Sequence, residues 1–434
     1  MKKALLKKAI ACCLAVAALS TVCVGCQNNG TNGGSNAPAA KTKVDFWYLW
    51  TGEGDKTLQK IAKDYNAKSD KYEVKCLSTP DQQKITAAIS AGNGPDLTDD
   101  FNGSIGKLAA AGVMEPLDGY ISKTNYDMTD FVPAAIDSMK MDGKIYAMPC
   151  NINFSALYYN KTILKDAGYT EAPKTLEEMY EMAVKTTKVN KDGTIDTLGF
   201  PDFPNVYYLG NFNIAAGGGW YTTDSKASAA DDAGNALALK LITDYRQKFG
   251  VANITKFASG AKYLDPTDPF LMGKQTFRVD GPWMGNNIKE TFKVDIDYGV
   301  TYIPYPSGKE DLKARALVSS SILYIPSNAK NKDGAWDFLS YLVGKEGMEK
   351  WTVAGGDFPA RVSSLTTDAF KKSYDSEFYA ELAKSPNLVS TQNNPKASEY
   401  DTVVSEQAEL CMNLKQDIPT TLNNINKKGV EVLG

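Results

Sequence analysis

Small amides and hydroxyls on one face of a predicted strand could bind an uncharged, hydroxyl-rich ligand. Between Asn151 and Ser155 polar and apolar residues alternate, which places Asn151, Asn153 and Ser155 on the same face. A buried amide without a hydrogen-bond partner costs on the order of 1 to 3 kcal/mol, so this face needs a ligand or water. The pattern predicts a strand that passes beneath a polar ligand, or an edge strand whose amide face is solvated.

Aromatic residues at the predicted ends of secondary-structure elements could supply flat surfaces for the same ligand. Trp283 stands where a short strand turns into a helix, and Trp50 ends the first strand. The segment 201–220 is rich in aromatic and Asn residues and poor in charge. This composition is typical of a wall for an uncharged polar ligand, or of a helix whose rings pack in the core.

Composition excludes several kinds of chemistry. None of the 434 residues is histidine, which removes Ser-His and Cys-His nucleophile pairs and His-ligated zinc. The sequence contains neither a P-loop nor a G-x-S-x-G motif, and no polybasic patch indicates nucleic acid. We expect a protein that is not an enzyme, with no cofactor and no nucleic-acid partner, although these absences by themselves leave hydrolysis by paired carboxylates open.

The sequence also offers little for metal binding. After the first 26 residues only Cys76, Cys150 and Cys411 remain, and three scattered thiols form neither a disulfide framework nor a metal cluster. The spacing of polar residues from Asn190 to Asp196 faintly resembles a calcium loop, but the terminal Glu is missing. We expect no metal site, although the sequence leaves bound calcium and the pairing of the thiols open.

Residues 1–25 are predicted to be an export signal. Four lysines precede an apolar stretch, Ala9 to Leu19, that is too short to span a bilayer. The signal ends in V-C-V-G-C, which resembles a bacterial lipobox with Cys26 as the lipidated first residue, although Cys23 stands where Leu is usual. The alternative is an ordinary cleaved signal that releases the protein. Residues 26–43 form a Gly- and Asn-rich flexible tether.

The elements after the tether alternate between strand and helix. Val44–Trp50 and Tyr72–Leu77 are predicted strands, each is followed by an amphipathic helix, and a third strand and helix follow Gly94. Three such repeats favour a parallel sheet with helices on both faces, which binds ligands at the carboxyl ends of its strands. The residues predicted at such ends are Trp50, Thr51, Asp100, Phe101 and Asn102.

Further along the chain the sequence predicts one long strand region and several capped elements. The region Asp142–Asn160 opens on an Asp-Gly turn. Thr175 and Glu178 have the spacing of a capping box, and Asp192-Gly193 predicts a hairpin turn. Later strands are predicted at Thr276–Asp280, Tyr298–Tyr305 and Ser319–Ile325, and later helices at Asn235–Phe249, Lys332–Val343, Tyr400–Leu414 and Ile418–Val432.

Four ordered motifs resemble the family 1 extracellular solute-binding proteins, the sugar-capturing receptors of ABC importers. They are G-N-G-P-D, then G-K-I-Y-A-M-P with A-L-Y-Y-N-K, then G-K-Q-T-F-R-V-D-G-P-W, then W-D-F-L-S-Y-L with P-A-R. The resemblance implies an α/β fold of periplasmic-binding-protein type II, with two lobes, each a doubly wound sheet, and a hinge between them. It implies an N-terminal lobe of residues 44–152 and 320–367, and a C-terminal lobe of 153–319 and 368–434.

The resemblance also implies ligand contacts. Trp283 matches the stacking tryptophan of the family, and Asn153 occupies the position of a polar sugar contact that is often a carboxylate. Trp50 and Tyr400 are weaker candidates. The remaining implied contacts are Asp100, Asn102, Tyr207, Tyr208 and Asn211.

Together these features predict a lipid-anchored receptor on the outer face of the cytoplasmic membrane. We expect it to be a monomer that binds a carbohydrate, with an oligosaccharide as the expected ligand, and delivers it to the transmembrane subunits of an ABC permease. The main alternative is a lipid-anchored glycoside hydrolase, but neighbouring carboxylates such as Asp99 and Asp100 point to opposite faces of a strand and cannot flank one bond. A surface adhesion protein would need repeats or an all-β pattern, and neither is present.

Overall fold

The structure, a computed structural model, describes residues 40–434 except 203–204, 223–226 and 391, and does not describe the side chains of 205–208. The predicted export signal, Cys26 and most of the tether lie outside the described residues. Residues Lys41–Gly434 form one compact unit.

The strands alternate with helices in the first third of the chain and become short and scattered later. The strands are β1 (Thr42–Tyr48), β2 (Tyr72–Ser78), β3 (Leu97–Phe101), β4 (Lys140–Met141), β5 (Lys144–Ile145), β6 (Met148–Pro149), β7 (Asn153–Phe154), β8 (Ala156–Asn160), β9 (Lys188–Val189), β10 (Ile195–Thr197), β11 (Phe277–Asp280), β12 (Tyr298–Thr301), β13 (Ala316–Ser319), β14 (Ser321–Tyr324) and β15 (Leu388–Ser390).

The α-helices are α1 (Gly52–Lys68), α2 (Gln82–Ser90), α3 (Ile105–Ala110), α4 (Asp118–Thr124), α5 (Pro133–Asp137), α6 (Lys161–Asp166), α7 (Leu176–Thr186), α8 (Asn205–Ala215), α9 (Ala233–Phe249), α10 (Val251–Ala258), α11 (Trp283–Asn286), α12 (Lys332–Leu342), α13 (Lys345–Gly355), α14 (Asp368–Lys371), α15 (Ser376–Leu382), α16 (Ala397–Met412) and α17 (Ile418–Leu433). Single helical turns span Asn102–Ser104, Asn287–Thr291, Glu310–Leu312 and Val362–Thr366.

The first sheet has five strands in the order β2-β1-β3-β14-β6. β1 pairs in parallel with β2 and β3, and β14 and β6 extend the sheet in antiparallel orientation. The inward side chains Val44, Phe46 and Tyr48 of β1 are fully buried, as expected of a central parallel strand. The predicted alternation of three strands with three helices is confirmed.

The second sheet is smaller and has the order β11-β8-β12, with both neighbours antiparallel to β8. Among the described residues it is less regular than the doubly wound sheet that the sequence predicts for this lobe. β8 lies in the middle of the sheet, so Leu157, predicted on the polar face, is buried together with Tyr158. A central strand packs on both faces, and this overrides the alternation read from the sequence.

The long strand predicted across Asp142–Asn160 is wrong as a single element. The structure divides it into β5, β6, β7 and β8, which join four different sheets. β7 pairs with β13, and β13 pairs with β15 in a third sheet. The chain therefore leaves the first sheet after β6 and returns to it at β14. It thus crosses twice between the first sheet and the third sheet.

Several local predictions are confirmed and others need new boundaries. The Thr175–Glu178 capping box has both of its hydrogen bonds, and Asp192-Gly193 joins the antiparallel pair β9 and β10. β1 begins at Thr42, so the predicted tether ends before residue 43, because Thr42 and Lys43 pair with β2. The strand predicted over Tyr298–Tyr305 ends at Thr301.

Two further features bear on earlier predictions. Cys76, Cys150 and Cys411 are free thiols. Within residues 40–434, as far as they are described, no helix is long and apolar enough to cross a membrane.

Candidate functional site

Polar side chains converge where the chain passes from β13 to β14. We call this region the crossing and define it by Ser319–Ser321, Asn102, Asn151 and Asn153. The Asn102 N–H donates to the Ser320 carbonyl (3.1 Å), and the Ser320 N–H donates to Asn102 Oδ1 (3.3 Å). Ser319 pairs with Asn153 in the sheet register. The structure thus brings together Asn102 and Asn153, which are far apart in sequence.

The two asparagines of the predicted polar strand differ in their surroundings. Asn151 is 1% exposed and satisfied within the protein, because its Oδ1 accepts the Ser321 N–H (2.8 Å) and its Nδ2 donates to Asp357 Oδ2 (2.9 Å). Asn153 is half-buried, and its buried Oδ1 has no hydrogen-bond partner among the described residues. In the same part of the chain, Ser320 Oγ is also buried without a partner. Asn151 therefore serves the fold, whereas Asn153 and Ser320 retain hydrogen-bonding capacity at the crossing.

The two carboxyls at the end of β3 are buried rather than open to solvent. Asp99 accepts the Leu49 N–H (3.0 Å), and burial raises the pKa of Asp99 to about 8. Asp100 accepts the Phe101 N–H (2.7 Å), and burial also raises the pKa of Asp100. Asp100 lies beside the crossing, since the register places Ile322 opposite it and Ser321 opposite Phe101. Only 4% of the surface of Asp100 is exposed, so its carboxyl is surrounded by protein rather than by solvent.

Trp50 and the short helix α11 both contact the segment formed by α13 and Gly356. Trp50 is half-buried and makes an edge-to-face contact with Trp351 of α13, with ring centroids 4.6 Å apart. Gly356 follows the last turn of α13, and a Cβ on it would lie 3.1 Å from the Cβ of Asn286 in α11. Trp283 begins α11. Five residues separate Trp351 from Gly356, or about 7.5 Å along a helix axis, so Trp50 and α11 contact neighbouring parts of this segment.

Asp357 connects this region to the crossing. It follows Gly356, is half-buried, and accepts a hydrogen bond from Asn151, which in turn accepts one from the Ser321 N–H. The path from Trp283 through α11, Gly356, Asp357 and Asn151 to the crossing is therefore continuous. The structure places Trp50, Trp283, Asn102, Asn153 and Asp100 around this path.

The remaining predicted contacts fall elsewhere or outside the description. Tyr400 is fully buried, and its hydroxyl is hydrogen-bonded to Ser228 Oγ (2.5 Å) and the Trp220 carbonyl (2.9 Å). It packs in a cluster with Val404 and Ile425, so the weaker prediction of a ligand contact is corrected to a core role. Asn211 is half-buried on α8 and already engaged within the chain. Tyr207 and Tyr208 lie in the same helix, but their side chains are outside the described residues.

Phe101 is an aromatic residue that the sequence placed at a strand end without predicting a contact. In the structure it is 60% exposed at the end of β3, and Ser321 of the crossing is opposite it. An exposed aromatic ring beside buried polar groups is uncommon on surfaces that serve only solvation. The sequence feature that could have indicated Phe101 as a contact is its position between Asp100 and Asn102, which were both predicted contacts.

The two arginines near the family motifs are committed to other groups. Arg278 is buried and pairs with Asp268 (2.9 Å) and Asp280 (3.0 Å). Arg361 donates to the Val343 carbonyl, Asp130 and Tyr126, so it holds a loop in place. Neither guanidinium is positioned to neutralise a charged ligand.

No group of three or more metal-binding side chains occurs in the described part of the chain. In the loop that faintly resembles a calcium site, Asp192 Oδ1 accepts the Thr194 N–H (3.1 Å) and hydroxyl (2.6 Å), and Asp196 pairs with Lys274 (3.3 Å). Asp192 therefore stabilises the turn between β9 and β10, and Asp196 ties this hairpin to Lys274. Two concavities of about 540 and 580 Å³ occur elsewhere, and their linings include none of the predicted contacts.

Two α/β lobes, a double chain crossing and aromatic and polar groups at the crossing define a solute-binding fold. The sequence model of the family described as bacterial extracellular solute-binding protein matches residues 60–376. The chain belongs to this family, which confirms the resemblance found in the motifs.

Individual relatives agree with this assignment. A maltotriose-binding protein from Pyrococcus abyssi is 29% identical over 309 residues, which are 70% of this chain and 63% of that relative's length. A maltooligosaccharide ABC transporter solute-binding lipoprotein from Streptococcus pneumoniae serotype 4 is 27% identical over 345 residues, covering 76% and 75% of the two chains. The solved structure of CpMnBP1 with mannotriose bound superposes with a TM-score of 0.76 at 25% identity, covering 90% of this chain and all of that one. These likenesses confirm the two-lobed fold.

Replacement of Asp357 by Asn should flatten the pH dependence of stability. Burial raises the pKa of Asp357 to about 6 from its ordinary value of 3.8. The folded protein then binds this proton more tightly than the unfolded chain does, so the contribution is complete below about pH 4 and is lost as the pH rises through 6. From pH 4 to pH 7, Asp357→Asn should gain up to about 3 kcal/mol of unfolding free energy relative to the parent protein.

Urea unfolding of both proteins at pH 4 and pH 7 measures this difference. Asn at 357 can still accept the hydrogen bond from Asn151, so the variant should fold. Asp333→Asn, at a surface carboxylate that is 66% exposed, is the matched control and should leave the pH dependence unchanged. If the unfolding free energies of Asp357→Asn and the parent protein changed equally between pH 4 and pH 7, the predicted contribution of Asp357 to the pH dependence of stability would be wrong.

Proposed function

We propose that this protein is a receptor that binds a carbohydrate between its two lobes and catalyses no reaction on it. The observation that carries the proposal is that Trp50 and the helix begun by Trp283 both contact the segment of α13 and Gly356, which Asp357 and Asn151 join to the polar crossing. Sugar rings present apolar C–H faces and a belt of hydroxyls, so they need flat aromatic surfaces and neutral hydrogen-bonding groups together.

The proposed contacts follow from this arrangement. Trp283 and Trp50 stack on sugar rings, and Asn153, Asn102 and Asp100 bind hydroxyls. Ser320 and Phe101 are additions that the sequence did not predict. Tyr207, Tyr208 and Asn211 remain proposed contacts of the α8 segment.

The electrostatics favour an uncharged ligand. Arg278 and Arg361 bind carboxylates and carbonyls of the protein itself, and Asp99 and Asp100 are buried carboxyls with raised pKa values. A phosphate or carboxylate ligand would need cations that these arginines do not offer. The named ligands of the relatives are maltotriose, maltooligosaccharides and mannotriose, which supports an oligosaccharide.

The proposed assembly is that of a binding protein in an ABC importer. The proposed lobe boundaries are 152/153, 319/320 and 367/368. In support of the first two, β6 and β7 lie in different sheets, and so do β13 and β14. Such crossings are where a hinge can act, and ligand would favour the closed state in proportion to its extra contacts there. We further propose that Cys26 anchors a monomer to the membrane and that the closed form delivers its ligand to the permease.

The alternative, a glycoside hydrolase, is tested by the same titration that tests binding. Purified protein is titrated calorimetrically with neutral α-linked and β-linked oligosaccharides, and each mixture is then analysed for shortened products. Binding with the sugar recovered intact is expected. Shortened products would overturn the receptor function in favour of a hydrolase, and the absence of heat with every sugar would overturn the carbohydrate ligand.

Trp283→Ala should weaken oligosaccharide binding by more than about 1 kcal/mol, because it removes a large stacking surface. This corresponds to a dissociation constant raised more than about fivefold. Calorimetry with the sugar that binds the parent protein measures the change, and thermal unfolding confirms that the variant is folded. Unchanged affinity would remove Trp283 from the site.

Phe101→Ala should weaken binding without destabilising the fold, because this ring is 60% exposed and contributes little to the core. We expect a loss of about 0.5 to 2 kcal/mol of binding free energy, as for aromatic truncations at a contact. Leu414→Ala is the matched control, at an apolar side chain that is 45% exposed outside the proposed site. Equal affinities of both variants and the parent protein would remove Phe101 from the site.

Cys26→Ala should release the protein from membranes, because the proposed lipid is attached through the thiol of that residue. Fractionation of cells that express either form should place the parent protein with membranes and the variant in the soluble fraction. Continued membrane association of the variant would contradict the anchor.

A further inference from the structure

We propose that Tyr263 is a positioning residue that fixes the ring of Trp283 in the orientation needed for stacking on a sugar. This inference rests on the proposed function, because it assigns a purpose to the orientation of Trp283. Tyr263 lies in the segment between α10 and β11, outside every motif that identified the family. It reaches Trp283 through the side chain alone.

The hydrogen bonds around Tyr263 run in one direction. The indole Nε1–H of Trp283 donates to the hydroxyl oxygen of Tyr263 (2.7 Å). The same hydroxyl donates its proton to Asp280 Oδ1 (2.8 Å). Because an indole nitrogen can only donate, the tyrosine oxygen must accept the hydrogen bond from Trp283, and the tyrosine O–H in turn donates a hydrogen bond to the Asp280 carboxylate. The position of the indole N–H is therefore set by Asp280 through Tyr263.

Asp280 is itself held by a buried ion cluster. Its Oδ2 accepts from Arg278 Nε (3.0 Å), and its Oδ1 accepts the Gly281 N–H (2.8 Å). The Nη atoms of Arg278 donate to both oxygens of Asp268, at 3.1 and 2.9 Å. Arg278 and Asp268 are 0% exposed, so this cluster has little freedom to move.

Asp268 fixes the segment that carries Tyr263. Its carboxylate oxygens accept the N–H groups of Leu264 and Phe270, at 3.1 and 3.0 Å. The guanidinium of Arg278 also lies over the Tyr263 ring, 5.1 Å from its centroid. The tyrosine is thus held at its ring by the cation of Arg278 and at its hydroxyl by the hydrogen bonds with Trp283 and Asp280.

Gly281 provides a second, independent constraint on the indole. A Cβ at Gly281 would lie 2.4 to 2.7 Å from three carbons of the six-membered ring of Trp283. The ring therefore lies directly against the backbone of Gly281, a position that no larger residue permits. One constraint holds the nitrogen edge of the indole and the other holds the face of its benzene ring, so the two together fix the ring plane.

The fixed ring plane matters because stacking depends on the orientation of the aromatic face. A ligand that must first immobilise a free indole loses part of its binding free energy to that ordering. Tyr263 and Gly281 remove this loss before the ligand arrives. Tyr263 itself is then expected to influence affinity only while Trp283 is present.

A double-mutant cycle tests this coupling. Oligosaccharide affinity is measured by calorimetry for the purified parent protein, Tyr263→Phe, Trp283→Ala and the double variant. Tyr263→Phe keeps the ring but removes both hydrogen bonds of the hydroxyl, and Asp280 retains Arg278 and Gly281 as partners, so the variant should fold. We expect Tyr263→Phe to raise the dissociation constant about 2- to 10-fold in the parent background and less than about 1.5-fold in the Trp283→Ala background.

Tyr65→Phe is the matched control. The Tyr65 hydroxyl also donates to a carboxylate, that of Asp337, and its ring packs against Phe338 and Tyr341. This substitution removes a comparable hydrogen bond between α1 and α12 and should leave sugar affinity unchanged. A similar loss in Tyr65→Phe would indicate general destabilisation and would overturn the positioning role.

The failures of the two proposals are distinguishable. If Trp283→Ala weakens binding but Tyr263→Phe does not, or if Tyr263→Phe has the same effect in both backgrounds, the positioning role is wrong and the proposed function stands. If the parent protein binds no oligosaccharide, the proposed function fails and the positioning role fails with it.

A measurement without ligand gives a second readout. The chain has six tryptophans, and the indole ¹⁵N–¹H signal of Trp283 can be assigned by its disappearance in Trp283→Phe. Tyr263→Phe should shift that signal and speed its hydrogen exchange, while the Trp50 signal keeps its position. Gly281→Ala should shift the same signal by displacing the ring. An unmoved Trp283 signal in Tyr263→Phe would overturn the proposal.

Discussion

The fold depends on the hydrogen bonds by which two asparagines, Asn102 and Asn151, hold the backbone of Ser320 and Ser321 at the crossing. Asn102 exchanges two hydrogen bonds with Ser320, and Asn151 joins Ser321 to Asp357. These bonds satisfy backbone groups at the place where one strand leaves its sheet and the next begins, and such groups would otherwise be buried without partners. The same bonds bring strand β3, the helix end at α13 and the strand β7 together, so the candidate site exists because the crossing is satisfied.

A second set of buried charges separates structural from ligand-binding chemistry. Arg278 is surrounded by Asp268 and Asp280 and is fully buried, so its charge is balanced inside the protein. Breaking such a pair is expensive, on the order of 3 to 5 kcal/mol, because an uncompensated charge would remain. The strand that precedes the motif tryptophan is consequently rigid, and its guanidinium is fully paired with carboxylates. An uncharged ligand suits a site whose nearby arginine is already paired.

The sequence predicted the parts of this protein whose signals are local. Period-two and helical patterns located β1, the three alternating repeats and the Thr175 cap, because burial and capping act within a few residues. The division of Asp142–Asn160 among four sheets could not be predicted, because the partners of β7 and β6 are β13 and β14, which lie more than 150 residues away. Tyr400 was misplaced for the same reason: its core position is created by Ser228 and Trp220. Tyr263 had no motif signal at all, since only folding brings it to Trp283.

The position of Gly356 explains why Trp50 and Trp283 are treated as parts of one candidate site. This residue ends α13 with φ +70°, and its backbone lies so close to Asn286 that a Cβ would be 3.1 Å from that side chain. α13 packs on α1, which follows Trp50, while Asn286 belongs to the helix that Trp283 begins. Under the proposed boundaries Gly356 and Asn286 belong to different lobes, so a rotation between those lobes would change this contact. If the proposed ligand stacks on both tryptophans, its binding would then be coupled to lobe rotation through a contact at which only glycine fits without strain.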